Sequence, residues 1–189
     1  MAQVRPGEQM RNLGVVQNGA PVLAKPARTF GLSADREAAE KTIEQLHHAM
    51  EGIGQVHPLV MGKGMAAPRI GIGRAVALVQ PPEPDTSTTV LLNPRITDWS
   101  SDGDQQYEGC VSFFDVRGRV PRPLRITVKT TRLDGRMATA TYHRGLARLI
   151  HHEIDHLDGL LYTARLRTGI APIPVGEYRQ TGQSWAYRQ

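Results

Sequence analysis

Apolar residues recur at helical spacing between Gly145 and Leu161. At about 100° per residue, one helix face would carry Leu146, Ile150, Ile154, Leu157 and Leu161, and the face roughly opposite would carry Arg148, His151, Asp155 and Asp158. This separation predicts an amphipathic helix. A second helix is predicted to begin after Ser33, an N-cap residue followed by acidic residues in the first turn, and to end near Met50.

Short apolar or β-branched runs predict strands in the middle of the chain. Residues 75–79 and 90–92 should form one strand pair joined by a long turn-rich loop. Residues 124–131 and 137–142 should form a second pair with a turn at Asp134 and Gly135, and this pair leads directly into the amphipathic helix. Residues 99–106 are polar and are predicted to form a loop.

Length and composition limit the number of domains. The chain has 189 residues, 40% of them hydrophobic, which suits one domain with a sizeable core. We expect residues 1–168 to form this single catalytic domain, with a loosely packed start, and residues 169–189 to form an irregular tail. The sequence has no run of about 18 apolar residues and no apolar signal-peptide core, so we expect a cytoplasmic protein without a membrane partner.

The basic charge of the chain does not by itself indicate nucleic-acid binding. The formal net charge is +5, and four arginines lie close together in the sequence, namely Arg117, Arg119, Arg122 and Arg125. They alternate with apolar residues and prolines, and no recognition motif accompanies them. We therefore interpret them as a solvated basic face, and we expect no specific nucleic-acid partner.

The predicted helix contains an HExxH sequence at residues 152–156. His152 and His156 are four residues apart, so their imidazoles lie one helical turn from each other on one face and can bind one metal ion. Glu153 lies beside them, where it can accept a proton from a water activated by that metal. A chance HExxH in a chain of this size is expected on the order of once in a hundred sequences. His151 is expected to point away from this pair, and we assign it no role in metal binding.

A catalytic site of this type needs a third protein ligand. The long zincin motif, which continues to a third histidine, is excluded because no histidine follows His156. Two candidates stay open from the residues alone. Glu177 could serve as a distal carboxylate, although it lies in the tail, and Cys110, the only cysteine of the chain, could serve as a thiolate beside Gly109. Cysteine with two histidines suits Fe(II) or Zn(II).

The segment 62–71 is dense in small residues, which indicates that another group approaches its backbone closely. Its glycine spacing superficially resembles a dinucleotide-binding loop. Pro68 interrupts the helix that such a loop requires, and no acidic residue follows about 20 positions later in a βαβ unit. We therefore interpret it as a substrate-binding loop beside the metal site.

Three segments in order along the chain resemble the signature motifs of the peptide deformylases. They are residues 62–71 (GKGMAAPRIG), residues 108–112 (EGCVS) and residues 152–156 (HEIDH), and the similarity extends from about Val15 to Leu166. The resemblance implies a compact α+β fold with antiparallel strands wrapped around the motif helix. It also implies a metal ion held by Cys110, His152 and His156, usually Fe(II), with Zn, Ni or Co able to replace it.

The resemblance further implies hydrolysis of the N-formyl group from the N-terminal methionine of new polypeptides, which makes a formyl-methionyl peptide the substrate and the ribosome a potential partner. Glu153 would transfer the proton, and the backbone N–H of Val111 and the side chain at position 69 would meet the oxyanion. The substrate would lie along the backbone near Gly64, Gly109 and Glu108.

Position 69 departs from the family pattern, because Arg69 stands where the family has glutamine. Losing one oxyanion donor typically costs about 3 to 4 kcal/mol of transition-state stabilisation, but arginine is itself a donor. Arg69 could replace the glutamine, could obstruct the site, or could recognise a carboxylate on another substrate. Two alternatives therefore accompany the deformylase hypothesis: a related hydrolase of a different N-formyl or N-acyl amide, and an inactive metal-binding homologue.

Overall fold

The computed structural model describes residues 5–57, 59, 62–83 and 86–183. Within these ranges the helices are α1 (Pro6–Asn12), α2 (Leu32–Val56), α3 (Arg144–Leu157) and α4 (Val175–Gln180). The strands are β1 (Lys63–Ala66), β2 (Val76–Gln80), β3 (Thr89–Leu92), β4 (Arg95–Trp99), β5 (Gly103–Cys110), β6 (Phe113–Pro123), β7 (Arg125–Thr131), β8 (Met137–His143) and β9 (Ile173–Pro174). Short 3-10 turns cover Pro21–Ala24, Ala67–Ile70 and Tyr162–Arg165.

The strands form three antiparallel sheets. Their strand orders are β1-β2-β3, β4-β7-β8 and β5-β6-β9. Helix α3 contacts strands of all three sheets, because it packs against β1, β2, β6, β7 and β8. The α+β fold expected from the sequence, with antiparallel strands around a central helix, is confirmed.

Helix α3 contributes an apolar face to the core, as its spacing predicts. Ile150, Ile154 and Leu157 are buried, and they pack with apolar residues of two sheets, namely Ala66, Ala77, Val79, Leu91, Ile126 and Val128. Truncating a fully buried isoleucine such as Ile150 to alanine typically costs about 2 to 5 kcal/mol, so this face fixes the helix firmly.

Helix α2 is longer than its sequence signals predict, and Ser33 is not its N-cap. The helix begins at Leu32 after the N-cap residue Gly31, whose N–H donates to the Asp35 carboxylate over 3.0 Å. At the other end it continues past Met50 to Val56, because Ile53 follows at helical spacing and is 1% exposed. Burial of one more apolar turn therefore extends the helix beyond the predicted end.

The two predicted strand pairs are confirmed as β2 with β3 and β7 with β8, and Gly135 has the positive φ that the second turn requires. The loop predicted over residues 99–106 is wrong. Trp99 still pairs with Ile126, and β5 already begins at Gly103. The polar residues of this region lie at solvent-facing positions of strands. Composition alone does not distinguish such residues from those of a loop.

The end of the described chain is more regular than the irregular tail that the sequence suggests. Strand β9 pairs antiparallel with β6, and the short helix α4 follows it. Residues 1–4 and 184–189 of the expected loose start and tail, and residues 84 and 85 of the turn-rich loop, lie outside the described residues. Among the helices described, none combines the length and the apolar character that crossing a bilayer requires.

Candidate active site

Helix α3 and the end of β5 bring three metal-binding side chains together. His152 and His156 lie one turn apart on α3, and Cys110 is the last residue of β5. The Cys110 Sγ lies 3.2 Å from His156 Nε2, which is 3.3 Å from His152 Nε2. In the described part of the chain these residues form the one group of histidine, cysteine and acidic side chains with metal-binding spacing.

The geometry of this group fits a tetrahedral metal site. Metal bonds of about 2.1 Å to nitrogen and 2.3 Å to sulfur place neighbouring ligand atoms of a tetrahedron about 3.4 to 3.8 Å apart. The observed spacings of 3.2 and 3.3 Å lie just below that range. All three side chains are buried, and three protein ligands leave one position of the tetrahedron for water or substrate.

The charge state of the ligands favours a bound cation. Burial alone would raise the pKa of the Cys110 thiol, but the positive charges of Arg69 and His156 hold it well below its usual range. The Ser112 amide also donates to Cys110 Sγ over 3.4 Å. Burial would lower the pKa of His152, whereas its contacts with Cys110 and Glu108 raise it to about 10. A metal ion that binds here would displace the His152 proton, because the imidazole nitrogen that binds a metal must be deprotonated.

Glu108 fixes the orientation of His152. Its Oε2 lies 3.0 Å from His152 Nδ1, so the Nδ1–H donates to the carboxylate and Nε2 is left to face Cys110 and His156. Arg122 donates to both carboxylate oxygens over 2.9 Å, and Arg148 donates to Oε1 over 2.6 Å. Burial would raise the pKa of the Glu108 carboxyl, but Arg122 and His152 hold it well below its usual range.

The interpretation of Arg122 as part of a solvated basic face is wrong. Arg122 is 2% exposed, and its Nη1 also donates to Asp155 over 2.6 Å. Asp155 accepts a further bond of 2.7 Å from Arg165. Arg148 and Asp155, which the helical pattern places on the polar face of α3, are therefore buried in an ion network instead of facing water.

Glu153, which follows the metal ligand His152 in α3, is paired with Arg69. Arg69 Nη1 lies 2.9 Å from Glu153 Oε1 and 3.1 Å from Oε2, and it also donates to the Gly64 carbonyl over 3.0 Å. Both side chains are at most 4% exposed. Burial would lower the pKa of Arg69, but the negative charges of Cys110 and Glu153 raise it. The guanidinium thus stays charged beside the proposed general base.

Two glycines allow this close packing. A Cβ on Gly64 would lie 2.3 Å from Glu153 Oε1, and a Cβ on Gly109 would lie 2.5 Å from Arg117 Nε. Only glycine leaves room for these side chains. The group predicted to approach the backbone of the segment 62–71 closely is therefore Glu153. The segment itself consists of β1 and a 3-10 turn, so the predicted loop is wrong.

A cavity of about 320 Å³ opens onto these groups. Its walls include the expected site residues Gly64, Arg69, Glu108, Gly109, Val111 and Glu153, together with Cys110 and His152. Glu177 lies on the exposed helix α4 and is not part of the metal-binding group. Tyr178 of the same helix lines the cavity, and sequence reasoning missed it because no motif surrounds it.

Comparisons with known proteins agree with this geometry. The chain matches the sequence profile of the polypeptide deformylases over residues 12–169, which is most of its length. The chain belongs to the polypeptide deformylase family. This family consists of metal-dependent hydrolases that remove N-formyl groups from nascent peptides, and the fold and the Cys/His/His group agree with membership.

Individual deformylases show how far the similarity extends. Peptide deformylase 2 of Gloeobacter violaceus is 34% identical over 160 residues, which cover 80% of this chain and 86% of that protein. The peptide deformylase of Roseiflexus castenholzii is 41% identical over 120 residues, covering 56% of this chain and 65% of that protein. The actinonin-bound class I type b deformylase of Acinetobacter baumannii has a TM-score of 0.70 at 29% identity, with 81% and 97% of the two chains covered.

Proposed function

We propose that this protein removes the formyl group from the N-terminal methionine of nascent polypeptides and releases formate. The observation that carries the proposal is a buried glutamate, Glu153, beside a Cys/His/His group at one wall of a cavity. We infer Fe(II) as the physiological metal, with Zn, Ni or Co able to occupy the same ligands, because thiolate with two imidazoles suits these borderline-soft ions. Nascent chains are attached to ribosomes, so we expect the encounter to occur there, in the cytoplasm.

The chain would supply the ligands, the proton acceptor and the substrate alignment. Cys110, His152 and His156 would hold the metal, which when bound acidifies a water and polarises the formyl carbonyl. Glu153 would accept the proton of the attacking water and return it to the leaving amine. The backbone N–H of Val111, next to Cys110 in the cavity wall, would donate to the developing oxyanion.

The cavity wall would align the peptide through its backbone. Gly64 lies in the edge strand β1 and Gly109 lies near the end of β5, so their backbones offer an extended substrate a strand to follow. Both residues line the cavity. Glu108 would act by holding His152, since its two oxygens already contact Arg122, Arg148 and His152.

Arg69 would hold the general base through one nitrogen of its guanidinium. The two hydrogens of its Nη1 are directed to the Gly64 carbonyl and to the Glu153 carboxylate. While these bonds persist, this nitrogen cannot donate to a substrate oxygen. Arg69 would therefore fix the position of Glu153 but limit its freedom to accept a proton.

The test is formate release from a formyl-methionyl peptide. The protein is loaded with Fe(II) without air, or with Co(II), and compared with Glu153→Gln carrying the same metal content. We expect turnover by the parent and loss of at least about 100-fold in Glu153→Gln. No formate from the metal-loaded parent would refute the proposal. Tight binding of actinonin, which occupies the Acinetobacter baumannii enzyme, would further support it.

A second candidate function rests on Arg69. A guanidinium beside the metal ligands could recognise a carboxylate on an N-formyl or N-acyl compound that is not a peptide. Formate or another acid released from such compounds, with none from formyl-methionyl peptides, would favour this candidate. Metal binding without turnover of either class would instead indicate an inactive homologue.

A further inference from the structure

The C-terminal segment of the described chain is fixed next to the candidate active site. In β9, Ile173 pairs with Arg117 and Pro174 pairs with Val116. Their partner strand β6 also pairs with β5, the strand that ends at the metal ligand Cys110. Helix α4 continues from β9 and contacts β6. Backbone pairing therefore brings α4 within two strands of the metal group.

Helix α4 makes no contribution to the buried core, because none of its residues is buried. It nevertheless places one side chain, Tyr178, in the wall of the cavity that contains Cys110 and Glu153. The Tyr178 ring lies 5.2 Å from the Tyr107 ring, measured between centroids, with the planes tilted by 59°. Tyr107 belongs to β5 and lines the same cavity.

A second aromatic pair lines this cavity as well. The His57 and Phe114 rings meet edge to face with centroids 4.8 Å apart. The guanidinium of Arg117 lies over the Phe114 ring and donates to the backbone carbonyls of Phe114 and Val116. The part of the cavity around these residues is therefore lined by aromatic rings and by a guanidinium that bonds to the backbone hold in place, and it lacks the Glu153 carboxylate.

We propose that Tyr178 is a specificity-determining residue that binds an apolar or aromatic substrate side chain downstream of the formylated methionine. The inference rests on the proposed function, because it assumes that the formyl group reacts beside Glu153 and Cys110. The remainder of the peptide must then lie along the rest of the cavity. Tyr178 and Tyr107 together present the aromatic surface that such a side chain would contact.

Equilibrium binding of product peptides tests the proposal without requiring turnover. The peptides are Met-Ala-Ala as the reference, Met-Phe-Ala and Met-Ala-Phe. The metal-loaded parent should bind at least one phenylalanine peptide about 3- to 10-fold more tightly than the reference, which is the range expected for an aromatic contact. Tyr178→Ala should reduce that advantage to less than about twofold, and Tyr178→Phe should preserve it, because the ring is the proposed contact.

The matched control is Gln180→Ala, a change at an exposed position of the same helix. If the parent shows no preference for either phenylalanine peptide, or if Tyr178→Ala keeps the preference, the proposal is wrong. It is also wrong if Gln180→Ala removes the preference equally, because the position of the whole helix, and not the Tyr178 ring, would then determine peptide binding. Formate release is measured in parallel from the formylated forms of the three peptides.

The two readouts separate this inference from the proposed function. Absence of formate from every peptide, together with a Tyr178-dependent binding preference, would refute deformylation and support Tyr178 as a peptide-binding residue. With turnover present, the preference should appear in KM and not in kcat, because Tyr178 would contact the peptide away from the reacting bond. If Tyr178→Ala lowers kcat by the same factor for all three peptides, the proposal is contradicted.

Discussion

Two buried glutamates line the same cavity as the metal-binding group and differ in how their oxygens are occupied. Glu108 contacts two arginines and an imidazole, through four bonds of 2.6 to 3.0 Å. Glu153 contacts one nitrogen of one arginine, over 2.9 and 3.1 Å. Both side chains are buried, yet only the first has several partners for its two oxygens.

This difference indicates that Glu108 positions a metal ligand and that Glu153 takes part in the reaction. A carboxylate with several fixed donors is held in place and has little capacity left to accept a further proton. A carboxylate with one donor is positioned but still has acceptor capacity that faces the cavity. We therefore expect changes at Glu108 to act mainly on metal affinity and stability, and changes at Glu153 to act mainly on turnover.

The largest effect is expected from Glu153→Gln. The amide retains the shape of the side chain but cannot accept the proton, so kcat should fall by about 100- to 10,000-fold. Metal content, measured by elemental analysis, should remain near that of the parent because Glu153 is not a ligand. Loss of metal together with activity would contradict the distinction between the two glutamates.

Glu108→Gln should reduce metal affinity by about 10- to 100-fold, because an uncharged amide oxygen is a weaker acceptor for the His152 Nδ1–H than the carboxylate. Stability should also fall, by about 3 to 5 kcal/mol, since Arg122 and Arg148 would lose the buried negative charge that they share. Metal competition with a chelator and denaturant unfolding measure the two effects. If affinity is unchanged while kcat drops, Glu108 takes part in the reaction instead.

Arg69→Gln should raise kcat by about tenfold, because it releases Glu153 from its guanidinium partner. The same change should lower the Tm of protein stripped of metal, because it leaves the Glu153 carboxylate buried without a counter-charge. Initial rates and thermal unfolding measure the two effects. A decrease in kcat would show that Arg69 itself donates to the oxyanion.

The smallest effect is expected from Asp98→Asn. Asp98 pairs with Arg125 over 2.7 Å, but its side chain is 60% exposed. Exposed ion pairs contribute little because water and salt screen them. Tm, metal affinity and kcat should all remain within error of the parent. A clear loss of stability would show that exposed ion pairs also contribute to the free energy of unfolding of this protein.

Much of the site can be predicted from sequence because its chemistry depends on local spacing. The spacing within one turn of helix brings together His152, Glu153 and His156. The motif around Cys110 resembles a motif of the family, and this resemblance identifies Cys110 as the third ligand. Arg122 also carries a local signal that our interpretation overlooked. It lies two residues after Val120 in β6, and both are on the buried face of that strand.

The partners of these residues could not be predicted in the same way, because they are distant in the sequence. Arg69 and Glu153 are 84 positions apart, and Arg148 and Glu108 are 40 positions apart. No periodic pattern records such contacts, which depend on how sheets and helix pack. Tyr178 is a further example, since only the pairing of β9 with β6 brings it to the cavity.

The absence of a side chain at Gly64 has a consequence for inhibitor design. Any replacement there would place a Cβ 2.3 Å from Glu153 Oε1, so the proposed general base would have to move. A compound that forms its main hydrogen bonds with the backbone of residue 64 therefore contacts a position at which resistance would also impair the enzyme. Compounds that depend on Tyr178 lack this protection, because no residue of α4 is buried and a substitution there need not displace Glu153.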